Sequence, residues 1–206
     1  MRRSGRNIYS RAARTALVAA ACAGLAAACS SCFHTRDAVP PTTVGNAPVP
    51  PLTVYDVIYN MELAVNNQNP VFYEELFTEG FIFKPDPADS AEVEKNFPGA
   101  YANWDYGVET AVMEYILDPV RCRYANLKLF EETEVIVDFT DTTYVLQRDY
   151  SLVIINEASV GYSGTTRFFF RKLADGYWYI ERWIDYVKDA QTATWGRLKG
   201  ETRARM

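Results

Sequence analysis

From Thr53 onward, apolar residues recur with the spacing of a helix face. Val54, Val57, Ile58, Met61 and Val65 fall on one side of a helical repeat, and Thr53-x-x-Asp56 supplies an N-cap ahead of them. Asn66-Asn67-Gln68 ends this helix. Asn69-Pro70 starts a second over 71–77, with Asn as cap and Pro at the first helical position, where its missing N–H costs nothing. Gly80 breaks it, and Phe81-Ile82-Phe83 reads as a short strand. The prolines of Lys84-Pro85-Asp86-Pro87 force a loop, followed by a turn over 90–95. Asp86 and Asp89 are assigned to capping that turn, because nothing nearby completes a metal coordination set. Trp104-Asp105 opens a third helix over 106–117, with Val108, Ala111, Val112 and Tyr115 on one face, and Asp118-Pro119 stops it.

After Cys122 the period changes to two. Segments 124–130, 134–139, 142–156, 162–172 and 177–188 are rich in β-branched and aromatic residues and read as strands. Asp141-Thr142 marks a turn, Gly161 to Gly164 a bend or bulge, and Ala174-Asp175-Gly176 a tight hairpin. Strands as long as the last three curl or bend at bulges. Helices first and a strand meander afterwards is an α+β order, with three N-terminal helices packed against a strongly curved antiparallel sheet.

Composition narrows the function classes. Arg2, Arg3, Arg6, Arg11 and Arg14 are the only charges before Cys29; without them 16 basic face 26 acidic residues, a net charge of −10. So acidic a chain is not built to neutralise phosphates, and no nucleic-acid partner is expected. The segment 191–206, with Arg197, Lys199, Arg203 and Arg205, reads as a locally basic, solvated tail. Of the four cysteines only Cys122 lies in the domain, so no disulfide framework is expected. The single histidine, His34, sits in a proline-rich linker and cannot serve as a base in a folded pocket. No phosphate loop, nucleophile elbow or paired-histidine metal motif is present, and neither a cofactor, a metal nor a catalytic residue is assigned.

The N-terminal stretch reads as delivery. Five arginines precede an apolar run over 15–28, too short to span a bilayer and suited to a signal peptide. Leu25-Ala26-Ala27-Ala28-Cys29 resembles the lipobox of bacterial lipoproteins, although Ala26 stands where that family prefers Leu. The resemblance implies a leader over 1–28, cleavage before Cys29, lipidation of Cys29 with fatty acyl chains, and anchorage to the cell envelope; Cys22 is the fallback site. Ser30 resembles members sorted to the outer membrane of a diderm host. Residues 29–52, with five prolines after Arg36, form a semi-extended tether to the domain at 53–190.

The helix and strand order, with Phe72-Tyr73-Glu74-Glu75-Leu76-Phe77, Phe81-Ile82-Phe83 and Asp175-Gly176-Tyr177-Trp178-Tyr179-Ile180-Glu181-Arg182-Trp183, resembles the nuclear-transport-factor-two-like superfamily. That superfamily includes SnoaL-like cyclases, ketosteroid isomerase and scytalone dehydratase. The resemblance implies a cone-shaped, cystatin-like arrangement in which a bent sheet wraps the first helix around an internal pocket. Alternation places Arg148 among Tyr144, Leu146, Tyr150, Leu152 and Ile154 on one face of its strand. It places Arg182 among Trp178, Ile180, Ile184 and Tyr186 on another. Arg148 and Arg182 are therefore candidate ligands for an anionic group, with Tyr59, Phe83, Trp104, Tyr144 and Tyr186 as candidate pocket walls. The competing readings are a bulge that flips the register, leaving Arg148 paired with Asp149 or Glu181, and an internal ion pair with Glu62 or Asp185.

The reading that results is a non-enzymatic, membrane-anchored envelope lipoprotein that binds a small apolar or anionic ligand or a protein partner. Its alternatives are a small isomerase or lyase built on carboxylate and tyrosine groups (Asp185 with Tyr186, or Glu62 with Tyr59), and a structural module that forms a homodimer through the sheet.

Overall fold

The computed structural model describes residues 47–206; Cys22, Cys29, His34 and most of the proline-rich tether lie outside the described residues. Helix α1 (Val54–Asn66) opens on the expected capping box: the Thr53 hydroxyl accepts from Asp56 N–H at 3.2 Å, and the Asp56 carboxylate accepts from Thr53 N–H at 2.8 Å. Asn69 caps α2 (Pro70–Glu74). That helix stops short of the expected end because Phe77 already pairs with Ile180, and β1 (Phe77–Lys84) begins there. The 85–96 stretch holds more than a turn: Asp86 caps a helix, α3 (Pro87–Asn96), and Asp89 is buried against the Thr194 hydroxyl. Asp105 caps α4 (Tyr106–Leu117).

The rest is the expected meander: β2 (Tyr124–Leu129), β3 (Val135–Phe139), β4 (Thr143–Ile155), β5 (Ser159–Lys172) and β6 (Trp178–Tyr186). They form one six-stranded sheet in the order β1-β6-β5-β4-β2, with β3 beside β4. All pairings are antiparallel except β1 with β6. Gly176 turns the β5–β6 hairpin at a φ of +86°, a conformation that side chains disfavour. Helix α1 lies against β2 and β6. It also covers the free edge of β2: the Asn66 side chain accepts from Leu127 N–H at 2.6 Å and donates to its carbonyl at 3.2 Å, while Glu62 accepts from Leu129 N–H at 2.5 Å.

Two features depart from the sequence reading. The last residues of the tether belong to the domain, since Trp178 N–H donates to Pro51 C=O at 2.9 Å and Val49 exchanges two hydrogen bonds with the Asn60 side chain. More consequentially, the C-terminal segment is not a solvated tail. It forms α5 (Trp195–Arg203), capped by Thr194 and packed against α3, α4, β5 and β6. Trp195, Gly196, Lys199 and Gly200 recur at helical spacing and are all buried. The two glycines permit the close approach. A Cβ on Gly200 would meet the Tyr101 ring at 2.3 Å, and one on Gly196 would meet Asp185 Oδ2 at 2.9 Å. Gly200→Ala is therefore expected to destabilise the protein by about 1–3 kcal/mol in denaturant unfolding, although alanine favours an isolated helix. A neutral or stabilising result would mean that α5 does not pack this closely.

Candidate functional site

Four elements place their polar groups at the centre of the cone. Lys199 and Glu109, on α5 and α4, form an ion pair at 2.6 Å with both side chains fully excluded from solvent. Tyr73 donates to Glu109 Oε1 at 2.6 Å and the Trp104 indole to Oε2 at 2.8 Å, so each carboxylate oxygen has a donor. The Lys199 ammonium lies 3.3 Å from the Trp183 ring centroid, 4.4 Å from Phe83 and 4.9 Å from Trp195. A buried charge persists only when paired and hydrogen-bonded, and carboxylate plus ring faces meet that condition here.

Next to this group, Asp185 points inward from β6. Its Oδ2 accepts from Gly196 N–H at the start of α5 at 2.5 Å and from Tyr150 at 3.0 Å, and the Tyr150 oxygen in turn accepts from Trp195 N–H at 2.7 Å. Among the described residues, Asp185 Oδ1 has no hydrogen-bond partner. Burial pushes the Asp185 carboxyl up to about 7, against the lowering effect of Gly196 N–H, Lys199 and Tyr150. Burial brings Lys199 down to about 8, with Glu109 opposing. Tyr73 and Tyr150 are both raised by burial, then by the neighbouring carboxylates.

In other settings, groups titrating near neutrality inside a protein mark acid–base chemistry. Access decides the matter here. Two surface clefts, of about 590 and 640 Å³, are lined by none of Asp185, Glu109 or Lys199. Trp195 and Lys199 of α5 fill the space between sheet and helices. Among the described residues no cluster of metal-ligating side chains occurs, and no helix is long and apolar enough to cross a membrane.

The chain is similar to a structure described as a putative aromatic ring hydroxylase from Novosphingobium aromaticivorans, at 12% identity over 68% of this chain and 90% of that one, with a TM-score of 0.52. A second, described as a putative scytalone dehydratase from the same organism, matches at 11% identity over 68% and 89%, with a TM-score of 0.51. A third, a protein of unknown function from Mycobacterium tuberculosis, matches at 12% over 74% and 84%, with a TM-score of 0.50. No protein-family model matches, and no curated protein matches in sequence. The fold is nuclear-transport-factor-two-like. At such identities the likeness extends to fold alone.

The sequence-selected residues do not converge on one site. Arg148 does face inward from β4, but it is buried and paired with Glu134, at 2.7 Å from Nε, in a cluster with Tyr55 and Tyr144. Its partner is none of the acids weighed from sequence: Asp149 pairs with Lys188, Glu181 with Arg171, and Glu62 caps β2. Arg182 is on the opposite side of the sheet, exposed and stacked 4.9 Å over Phe169. The cause is a bulge at Glu181: Phe169 pairs with Arg182 but Phe170 with Ile180, so Trp183 and Asp185 turn inward and Arg182 outward. Arg148 and Arg182 thus cannot clamp one anion. Tyr186 is on the outer face beneath Arg167, at 5.3 Å, and Tyr59 is exposed on α1. Phe83 and Trp104 are buried beside Lys199 and Glu109 and pack on each other at 5.3 Å. Asp185 and Tyr186 alternate across the strand, so the first of the two pairings drawn for an isomerase is not formed.

Glu109, Lys199, Tyr73, Tyr150 and Trp195 escaped sequence reading. The one legible signal was Trp195-Gly196-x-x-Lys199-Gly200, a paired repeat at helical spacing inside a segment dominated by charge.

The site sets a pH dependence. Because Asp185 binds its proton more tightly folded than unfolded, its contribution to stability is complete near pH 4 and is lost as pH rises through about 7. Lys199 acts in the opposite sense, adding stability as pH rises from about 8 into the ordinary lysine range. Between pH 5 and 8, Asp185→Asn is expected to gain about 1–3 kcal/mol relative to the unsubstituted protein in urea unfolding. A difference independent of pH would show that Asp185 does not titrate there.

Proposed function

We propose that this protein is a membrane-tethered binding domain without catalytic role, held at the cell envelope by lipidated Cys29 and engaging ligand or partner through its outer surface. The observation that carries the reading is the placement of α5: its Lys199 is paired with Glu109 at zero exposure, and Trp195 closes the space where a conical pocket would hold a substrate. The tether rests on the Leu25–Cys29 stretch and the prolines that follow it. Two or more acyl chains give stable attachment without any spanning segment. The Ser30 that follows Cys29 supports the periplasmic face of an outer membrane, in a host that has one.

A second reading, self-association through the sheet, draws on β3. Val135, Ile136, Val137 and Phe139 are each about half exposed or more, and among the described residues β3 pairs with β4 alone. Apolar edge strands left open in this way favour pairing with another chain.

Cys29→Ser is expected to move the full-length protein from the membrane to the soluble fraction, and retention on membranes would overturn the tether. In the same soluble variant, the amides of α5 should exchange as slowly as those of β5 and β6. Fast exchange confined to α5 would mean that the cone opens and would return the ligand to its interior. Sedimentation velocity of that variant tests the second reading: a monomer at high concentration counts against it.

A further inference from the structure

On the side where the chain enters the domain, a groove of about 590 Å³ runs between the Pro48–Pro51 segment, the end of α2 with the start of β1, and the beginning of β6. Its floor holds the buried side chains of Leu76, Phe77 and Trp178, and its walls the rings of Phe72, Tyr106 and Tyr179. One wall is fixed in place by backbone bonding, because Pro51 C=O accepts from Trp178 N–H and Val49 is tied to Asn60. The groove is therefore a walled cleft of the size that small ligands fill, and not a flat face suited to a protein.

Its charge is one-sided. Among the described residues, Glu74, Glu75 and Glu79 line it and no lysine or arginine does. Their fields converge on the Tyr106 hydroxyl, which is raised first by burial and then by Glu74, Glu79 and Glu75. Carboxylates that hold ammonium groups, beside aromatic rings and prolines that cover methylenes, describe a complement to one kind of molecule.

We infer that this groove is a binding site for an aliphatic polyamine, its ammonium groups on Glu74, Glu75 and Glu79 and its methylene segments on Phe72, Tyr106 and Trp178. A single amine would leave carboxylates uncompensated, whereas a linear triamine matches their number. The site is separate from the closed interior and does not depend on the lipid anchor.

Isothermal titration of the full-length Cys29→Ser protein with spermidine and with putrescine tests it. Spermidine is expected to saturate a single site and to bind about tenfold tighter than the shorter diamine. Glu75→Gln with Glu79→Gln should lower spermidine affinity about tenfold, and Tyr106→Ala severalfold. Glu131→Gln with Glu132→Gln, which removes the same charge from residues that do not line the groove, should change it little. Three results overturn the site: no saturable binding, unchanged binding in the Glu75/Glu79 variant, or equal losses in the Glu75/Glu79 and Glu131/Glu132 variants. Because the probe protein lacks the anchoring cysteine, failure here leaves the tether and the closed cone to their own tests.

Discussion

A lysine ammonium with no access to water, set between the Glu109 carboxylate and three aromatic rings, is the constraint on which the interior of this protein depends. Neither charge tolerates being left alone in such surroundings, so α5 must dock in one register and α4 must present Glu109 to it. Tyr73 and Trp104 complete the carboxylate from two further elements, which ties α2, the loop before α4, α4 and α5 into a single polar knot. Beside it, Asp185 receives the first N–H groups of α5 directly and through Tyr150, acting as an acceptor for a helix start buried in the core.

This arrangement changes what the fold can do. A curved sheet wrapped around helices has an inside and an outside, and the inside is the natural place for a ligand. Here the chain supplies its own occupant. The acidic and basic groups that titrate near neutrality serve to seat α5, and their displaced proton affinities follow from burial without any reactant. What is left for recognition is the exterior: the groove beside the incoming tether, rich in aromatic rings and carboxylates, and the exposed apolar strand β3. Both lie on the surface of the domain.

Much of the fold was legible because its signals are local. The Thr53 and Asp56 box, the Asn69-Pro70 start, the change of period after Cys122 and the hairpin at Gly176 each depend on a few neighbouring residues, and each is found where the pattern put it. The site was legible only in fragments. Strict alternation located Arg148 on the inner face of β4. The same rule failed for Arg182, since one extra residue at Glu181 reverses every side chain beyond it, and a bulge has no sequence signature as dependable as alternation itself. The partner of Arg148 was equally hidden, because Glu134 reaches it from just ahead of β3, a neighbouring strand whose register shifts at a second bulge between Ile136 and Asp138.

The C-terminal helix marks the boundary between the two kinds of information most clearly. By itself, the sequence determined an α+β order, an acidic domain without a usable histidine, and the start and stop of most elements. It could not decide the fate of residues 195–203, whose low hydropathy and abundant charge describe a solvated segment as well as a docked one. Only the tertiary structure settled that, because the groups that make Lys199 acceptable in the core come from Glu109, Phe83 and Trp183, which stand on other elements 16 to 116 residues away. Burial of a charge is a property of the assembled surroundings, and no window of sequence contains them.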